Sequence, residues 1–277
     1  MIKRLLVGVA GTPVLQAKID YSLALARQHK AEVSLLSVVD RERLGAIGPV
    51  PIGAGRYAED MRKSRIARSH KLDEEAIARF EAAGAEATVA IATVRAEGDP
   101  LKVIAAAWRY HDLCLLGLRG WFDHDVLPDP ENALQQLISG SVRPILAVPE
   151  QLRPVKKALI AYNGSLESAK TMKQFVQMAL WPDVALHIVC IGEPKSGEDA
   201  TRLLEEASSY CRLHGYATTT ATRDGRAAEA LLAEAKSSNA DLIALGSSHR
   251  KLLLYKRFGR NALALIKQAE VPLFLSH

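Results

Sequence analysis

Along this chain, short apolar runs alternate with longer segments in which apolar residues return every three to four positions. The runs fall within Lys3–Thr12 (KRLLVGVAGT), Ala31–Asp40, Asp112–Gly117, Arg143–Val148, Lys156–Ser165, Val184–Glu193, Asp241–Gly246 and Val271–Ser276. Of the intervening segments, Pro13–Lys30 sets Ile19, Leu23 and Ala26 on one helical face, and Pro100–Tyr110 does the same with Leu101, Ile104, Ala105 and Trp108. Asp99-Pro100 carries a helix start, an N-cap followed by proline at the first helical position. Runs alternating with helices predict βαβ units and parallel strands.

The pattern repeats. A shift of 153 residues lays Lys3–Thr12 on Lys156–Ser165 and Ala31–Asp40 on Val184–Glu193. Asp112–Gly117 meets Asp241–Gly246 at a shift of 129, and Arg143–Val148 meets Val271–Ser276 at 128. The chain is therefore an internal duplication, with domains at 1–150 and 155–277 joined across the prolines Pro149 and Pro154. The drop from 153 to 129 gives the first copy 24 extra residues. They are placed at Leu44–Tyr57, a Gly- and Pro-rich stretch predicted to be a loop, ahead of a polar helix over Ala58–Ala83.

Composition narrows the class. Aromatics are only 5% of the residues, so the core is built from aliphatic side chains, as suits helices packed on buried parallel strands. Cys114, Cys190 and Cys211 lack metal-ligand spacing and read as buried thiols. The first apolar run is too short for a signal peptide and no run is long enough to span a bilayer, so a cytoplasmic protein without membrane contact is expected. A net charge of +5 is modest over 277 residues, and with no interleaved aromatics it gives no expectation of nucleic-acid binding.

In doubly wound sheets, ligands sit at the carboxyl ends of strands where the strand order reverses. In the second copy that points to Asn163-Gly164-Ser165, to Gly246 with His249, and to Gly259-Arg260-Asn261 ahead of a helical pattern. Gly259 lets a backbone approach an anion, the amides behind it suit phosphate, and Arg260 adds a cation. The same residues have a plainer reading: glycines making tight turns, and Asn163 or Ser165 capping the next helix. Arg250, Lys251, Lys256 and Arg257 read as a solvated helix face, and His111 and His124 as solvated loop residues.

These segments resemble the universal stress proteins in their tandem form. The resemblance implies two five-stranded parallel sheets flanked by helices, of the adenine nucleotide alpha hydrolase type. It also implies halves that pair through their last strands and a unit that forms a homodimer. Nucleotide-binding members carry an adenine-contacting Asp before Gly-Ser and a Gly-x2-Gly-x9-Gly-Ser/Thr phosphate loop. Here the second copy reads Gly246-x2-His249-x9-Gly259-Arg260, with Asn163 in the Asp position. The first copy begins with Gly117-x2-Gly120, then places Pro130 and Glu131 where Gly and Ser/Thr belong, with Asp123, Asp125 and Asp129 nearby and Ala10 in the Asp position. Proline offers no amide hydrogen, and the carboxylates repel phosphate.

By this resemblance a stress-response regulatory protein is expected. ATP, with Mg2+ beside it, binds in the second half, the first half is degenerate, and no residue is placed for catalysis. The alternative is a protein-interaction module with both sites vestigial, which contacts protein partners through the insertion. A P-loop ATPase is disfavoured, since no Gly-x4-Gly-Lys-Ser/Thr occurs.

Overall fold

The apolar runs become strands buried on both faces: Leu5, Leu6 and Val7 are all at most 1% exposed. The computed structural model describes residues 2–9, 14–46, 54–118, 129–139, 144–194, 196–197, 199–246, 250–252, 255–257 and 260–276. The first half contributes β1 (Arg4–Val9), α1 (Leu15–His29), β2 (Glu32–Val39), α2 (Arg41–Gly45), α3 (Gly55–Ala87), β3 (Ile91–Glu97), α4 (Pro100–Trp108), β4 (Leu113–Leu116), α5 (Pro130–Ser139) and β5 (Ile145–Ala147). In the second half, β6 (Lys157–Ala161), α6 (Leu166–Met178), β7 (Ala185–Ile191), α7 (Ala200–Leu213), β8 (Thr218–Arg223), α8 (Ala227–Ser237) and β9 (Leu242–Gly246) come first. A small hairpin, β10 (Arg250–Leu252) and β11 (Tyr255–Arg257), then precedes α9 (Arg260–Gln268) and β12 (Leu273–Ser276).

Ten strands form one sheet, ordered β3-β2-β1-β4-β5-β12-β9-β6-β7-β8. Within this sheet every described pairing inside a half is parallel, and the halves join where β5 and β12 pair antiparallel, with Phe274 opposite Leu146. The two five-stranded parallel sheets expected from the resemblance are thus fused edge to edge into one. Strand order reverses between β1 and β4, and again between β6 and β9, so each half has its own crevice at the carboxyl ends of those strands.

Two apolar layers sandwich the sheet. On one side α1, α3, α6 and α7 bury Ile19, Phe80, Phe175 and Leu203, and on the other α4, α5, α8 and α9 bury Trp108, Leu137, Leu231 and Leu265. The first layer runs without a break across both halves, and Phe274 of β12 meets Phe175 of α6 edge to face at 5.2 Å. Helix α1 buries the predicted Ile19, Leu23 and Ala26, and also Tyr21, Ser22 and Leu25. Its second buried face is explained by the other half. Gln28 donates to the Leu180 carbonyl at 3.0 Å, a His29 ring nitrogen lies 3.0 Å from the same oxygen, and Tyr21 bonds both backbone groups of Arg153. At α4, Asp99 caps as predicted, accepting from the Leu101 amide, with Pro100 in the first turn.

The inserted segment departs from its expected form. Helix α2 and the start of α3 take up part of Leu44–Tyr57, and residues 47–53 lie outside the described ones. Helix α3 runs unbroken for 33 residues, against 14 in its counterpart α7, so most of the extra length is helix rather than loop. The cause is local: from Arg56 to Ala83 the chain has no Gly or Pro and is rich in Ala, Arg and Glu, strong helix formers.

Candidate functional site

In the second half, β6 and β9 lie side by side with Ile160 opposite Ala244, so the segments that follow them emerge together. The turn after β6 is built by its own side chains. Asn163 Oδ1 accepts from the Ser165 amide at 3.2 Å, and Ser165 caps α6, its Oγ accepting from the Ser168 amide at 3.2 Å. Gly164 between them has φ +75°, the left-handed region, and a Cβ there would come within 2.6 Å of Ser196 Oγ. Both plain readings, turn and cap, are therefore present. They leave the Asn163 amide group, a donor, at the crevice.

Gly246 ends β9 against the first turn of α6. A Cβ on it would lie 2.6 Å from the Glu167 carbonyl oxygen, so only glycine lets strand and helix approach this closely. Asn163, Gly164, Ser165 and Gly246 are thus brought together. His249 and Gly259 lie outside the described residues. Arg260 and Asn261 open α9. Because β12 runs parallel to β9, the helix feeding it starts on the carboxyl side of the sheet, the side of the crevice. No acidic residue stands in its first turn.

Arg250–Leu252 and Tyr255–Arg257 are not a helix face: they pair as two antiparallel strands. Their register sets Arg250 opposite Arg257 and Lys251 opposite Lys256.

The first half differs at each corresponding point. Helix α5 likewise follows the fourth strand, but the residue before its first position is Asp129, where α9 has Gly259. Asp129 Oδ1 accepts from the Asn132 amide at 3.0 Å, and Glu131 follows in the first turn, 2.8 Å from Lys267 Nζ. The positive end of α5 is thus occupied by the protein's own carboxylate. Counted from the helix start, Asp129 rather than Pro130 takes the place of Gly259. Ala10, Gly120, Asp123, Asp125 and His124 lie outside the described residues.

Where the second half is neutral, the first half buries charge. Lys18 is 2% exposed and donates to the Gly8 carbonyl, at the end of β1, at 2.8 Å. Burial pulls its pKa down to about 8, against a smaller upward pull from Asp73. Asp73, buried on α3, accepts from Ser37 Oγ at 2.8 Å, and burial raises its pKa. Burial therefore outweighs what each of the pair returns to the other.

A polar network that the sequence does not announce lies under α8. His187 Nε2 sits 2.7 Å from Glu234 Oε1 and His187 Nδ1 2.8 Å from Thr219 Oγ1. Arg223 grips both oxygens of Glu234, at 2.6 and 3.0 Å. Burial works to raise the Glu234 pKa, but the bonds from His187 and Arg223 and their charges prevail and hold it below the usual carboxylate range. The network spans 47 residues of sequence, and only the pairing of His187 with Thr219 across β7 and β8 assembles it. The matching positions on β2 and β3 are Ser34, Ala92 and Ala96, so the first half lacks it.

The remaining candidates are quiet. Cys114, Cys190 and Cys211 are free and buried, as expected, and burial lifts the pKa of Cys211 to about 11, so thiolate is scarce at neutral pH. His111 is not a solvated loop residue: its Nδ1 lies 2.7 Å from the Ala107 carbonyl, its Nε2 is buried, and burial lowers its pKa. Among the described residues no group of three or more His, Cys, Asp or Glu could hold a metal ion, and no helix is long and apolar enough to cross a membrane.

The universal stress protein family model matches residues 1–143 and, separately, residues 154–277. Among solved structures, a universal stress protein from Archaeoglobus fulgidus is similar over 99% of this chain and 95% of its own, at 16% identity and a TM-score of 0.68. A functionally unknown protein from Pseudomonas aeruginosa PAO1 is similar over 99% and 92%, at 15% identity and a TM-score of 0.62. An Arabidopsis thaliana family protein solved with AMP bound overlaps 44% of this chain and 91% of its own, at 18% identity and a TM-score of 0.35, too little to bear on ligands here. The chain matches no curated protein.

Proposed function

Because this chain belongs to the universal stress protein family through both of its halves, we propose that it is a stress-response regulatory protein, not an enzyme, whose second half binds an adenine nucleotide, ATP with Mg2+. One contrast carries the reading. Helix α5 meets its own Asp129 carboxylate at its first turn, whereas α9 follows Gly259, has no acid in its first turn and begins with Arg260. Free amides at a helix start, with the dipole behind them, suit a phosphate.

Asn163 would face the base and Arg260 the phosphates. Asn163 Oδ1 is engaged by Ser165, so its amide nitrogen is the group left to bond a base acceptor. The chain as a cytoplasmic protein, and its joined halves as a unit that pairs again into a homodimer of twice 30.1 kDa, belong to the same proposal; sedimentation tests the second point.

The test is a melting curve with and without millimolar Mg-ATP. A ligand present at 100 times its dissociation constant stabilises by about 2.7 kcal/mol. The wild type is expected to shift upward and Gly259→Asp, which copies the first half's arrangement, is not. No shift in the wild type would overturn the nucleotide reading. The rival reading, an interaction module with both crevices vestigial, has one observation behind it: the projecting half of α3.

A further inference from the structure

The projecting half of α3, Gly55–Leu72, holds six Lys and Arg against two Asp and Glu. Asp73, Glu74 and Glu75 follow it directly, and Arg250–Arg260 is a second basic stretch, with five Lys and Arg and no acid. A net charge of +5 over 277 residues argues against nucleic acid. A local surplus on an exposed helical arm argues for it.

Helix α2 lies against the arm, Gly45 beside Arg62, but the arm stays outside the core. The first buried residue of α3 is Asp73, and nothing from Gly55 to Leu72 is buried. At 1.5 Å per residue, about 27 Å of helix precedes Asp73. Arg56, Arg62, Lys63, Arg65, Arg68 and Lys71 are all exposed. Glu59 lies 3.8 Å from Arg62 and from Lys63, and Glu75 3.9 Å from Lys71, weak pairs in solvent. Arg56, Arg65 and Arg68 make no ion pair among the described residues.

We infer that the projecting half of α3 docks against the phosphate backbone of a nucleic-acid duplex. At about 100° per residue, Arg56, Lys71, Arg68, Arg65 and Arg62 follow one another at steps of about 60° round the axis. A flat acidic protein surface meets one side of such a helix. A B-form DNA groove flanks it with phosphates on both sides, the major groove, about 12 Å wide, admitting one helix; A-form RNA offers phosphates without that fit. An anionic membrane fits less well, because the sector holding Tyr57, Met61 and Leu72 also holds Arg65 and Arg68, leaving no continuous apolar face. Four of the six bases are Arg, whose planar fork pairs with phosphate. The arm depends on no ligand in the second half's crevice, so the two proposals fail separately.

The experiment measures binding of the full chain to fluorescent 20-base-pair DNA and RNA duplexes of arbitrary sequence between 50 and 200 mM salt, without nucleotide. Two variants are compared. One changes Arg56, Arg62, Lys63, Arg65, Arg68 and Lys71 to Gln; the other makes the same change at Lys102, Lys170, Lys173, Arg202, Arg226 and Lys236, giving the same net charge. Circular dichroism and melting curves check that both are folded. For about five phosphate contacts, the wild type's log affinity falls with log salt at a slope of about −4 to −5. The arm variant is expected to lose about 100-fold at 50 mM salt with a flattened slope, and the other variant under about threefold. No binding by the wild type at 50 mM salt, or equal losses in both variants, would overturn the inference. So would equal arm-dependent binding to phosphatidylserine vesicles, or polyglutamate competing as well as DNA charge for charge.

Discussion

At the carboxyl ends of β1 and β4 the first half buries a cation of its own, Lys18 on the Gly8 carbonyl, and closes the start of α5 with Asp129. At the equivalent ends of β6 and β9, the buried polar residues on α6 are Ser168 and Thr171, both neutral, and α9 starts without an acid. One frame thus carries two crevices of opposite character. The ionisable groups the second half does bury, His187 and Glu234, lie under α8, joining strand to helix.

The largest effect that would sharpen this contrast is at Lys18. Its pKa of about 8 in the folded chain lies below its ordinary 10.5, so between those pH values the unfolded chain binds more protons than the folded one. Stability should therefore rise with pH across that window, by about 3 kcal/mol in all. Lys18→Met should be more stable than wild type at pH 7 and should lose the rise. Denaturant unfolding at pH 7, 9 and 10.5 measures it; a rise that persists in Lys18→Met would break the contrast.

Next is the network unique to the second half. Glu234→Ala leaves His187 buried without its carboxylate and should cost about 2–3 kcal/mol. Because the folded pKa of Glu234 is depressed, its contribution is fully present above the ordinary 4.5 and fades as pH falls through the folded value. The gap between wild type and Glu234→Ala in unfolding free energy should accordingly narrow on acidification. Gly246→Ala drives a methyl into the Glu167 backbone and should cost about 1–3 kcal/mol in thermal melts. The smallest effect is at Asp129→Ala, which removes the α5 cap and should cost about 1 kcal/mol by the same measurement.

Much of the fold was legible. Apolar alternation and the matched segments mark strands, helices and the duplication. The start of α4 at Asp99-Pro100 was plain because capping is a local bond between neighbours. Of the candidate site, Asn163, Gly164, Ser165 and Gly246 do converge. The turn chemistry that holds them there concerns residues two and three apart, the range over which sequence speaks clearly. The Lys18 cation was hidden because a lysine on a helix ordinarily points to water, and only the covering helix α3 encloses it with Asp73. The length of α3 was misjudged because the Gly- and Pro-rich stretch before it masks where strong helix formers take over at Arg56.

By itself the amino-acid order determines that this protein is two copies of one α/β unit, that its core is aliphatic, and that one crevice has kept less acid than the other. Each of these rests on the transfer free energy or charge of single residues and their near neighbours. Tertiary structure decides the rest. It sets β5 against β12, so that two sheets become one. It closes Gly246 on α6, assembles Glu234 with His187 and Arg223, and leaves Arg56–Lys71 outside the core. Such contacts depend on which faces other parts of the chain cover.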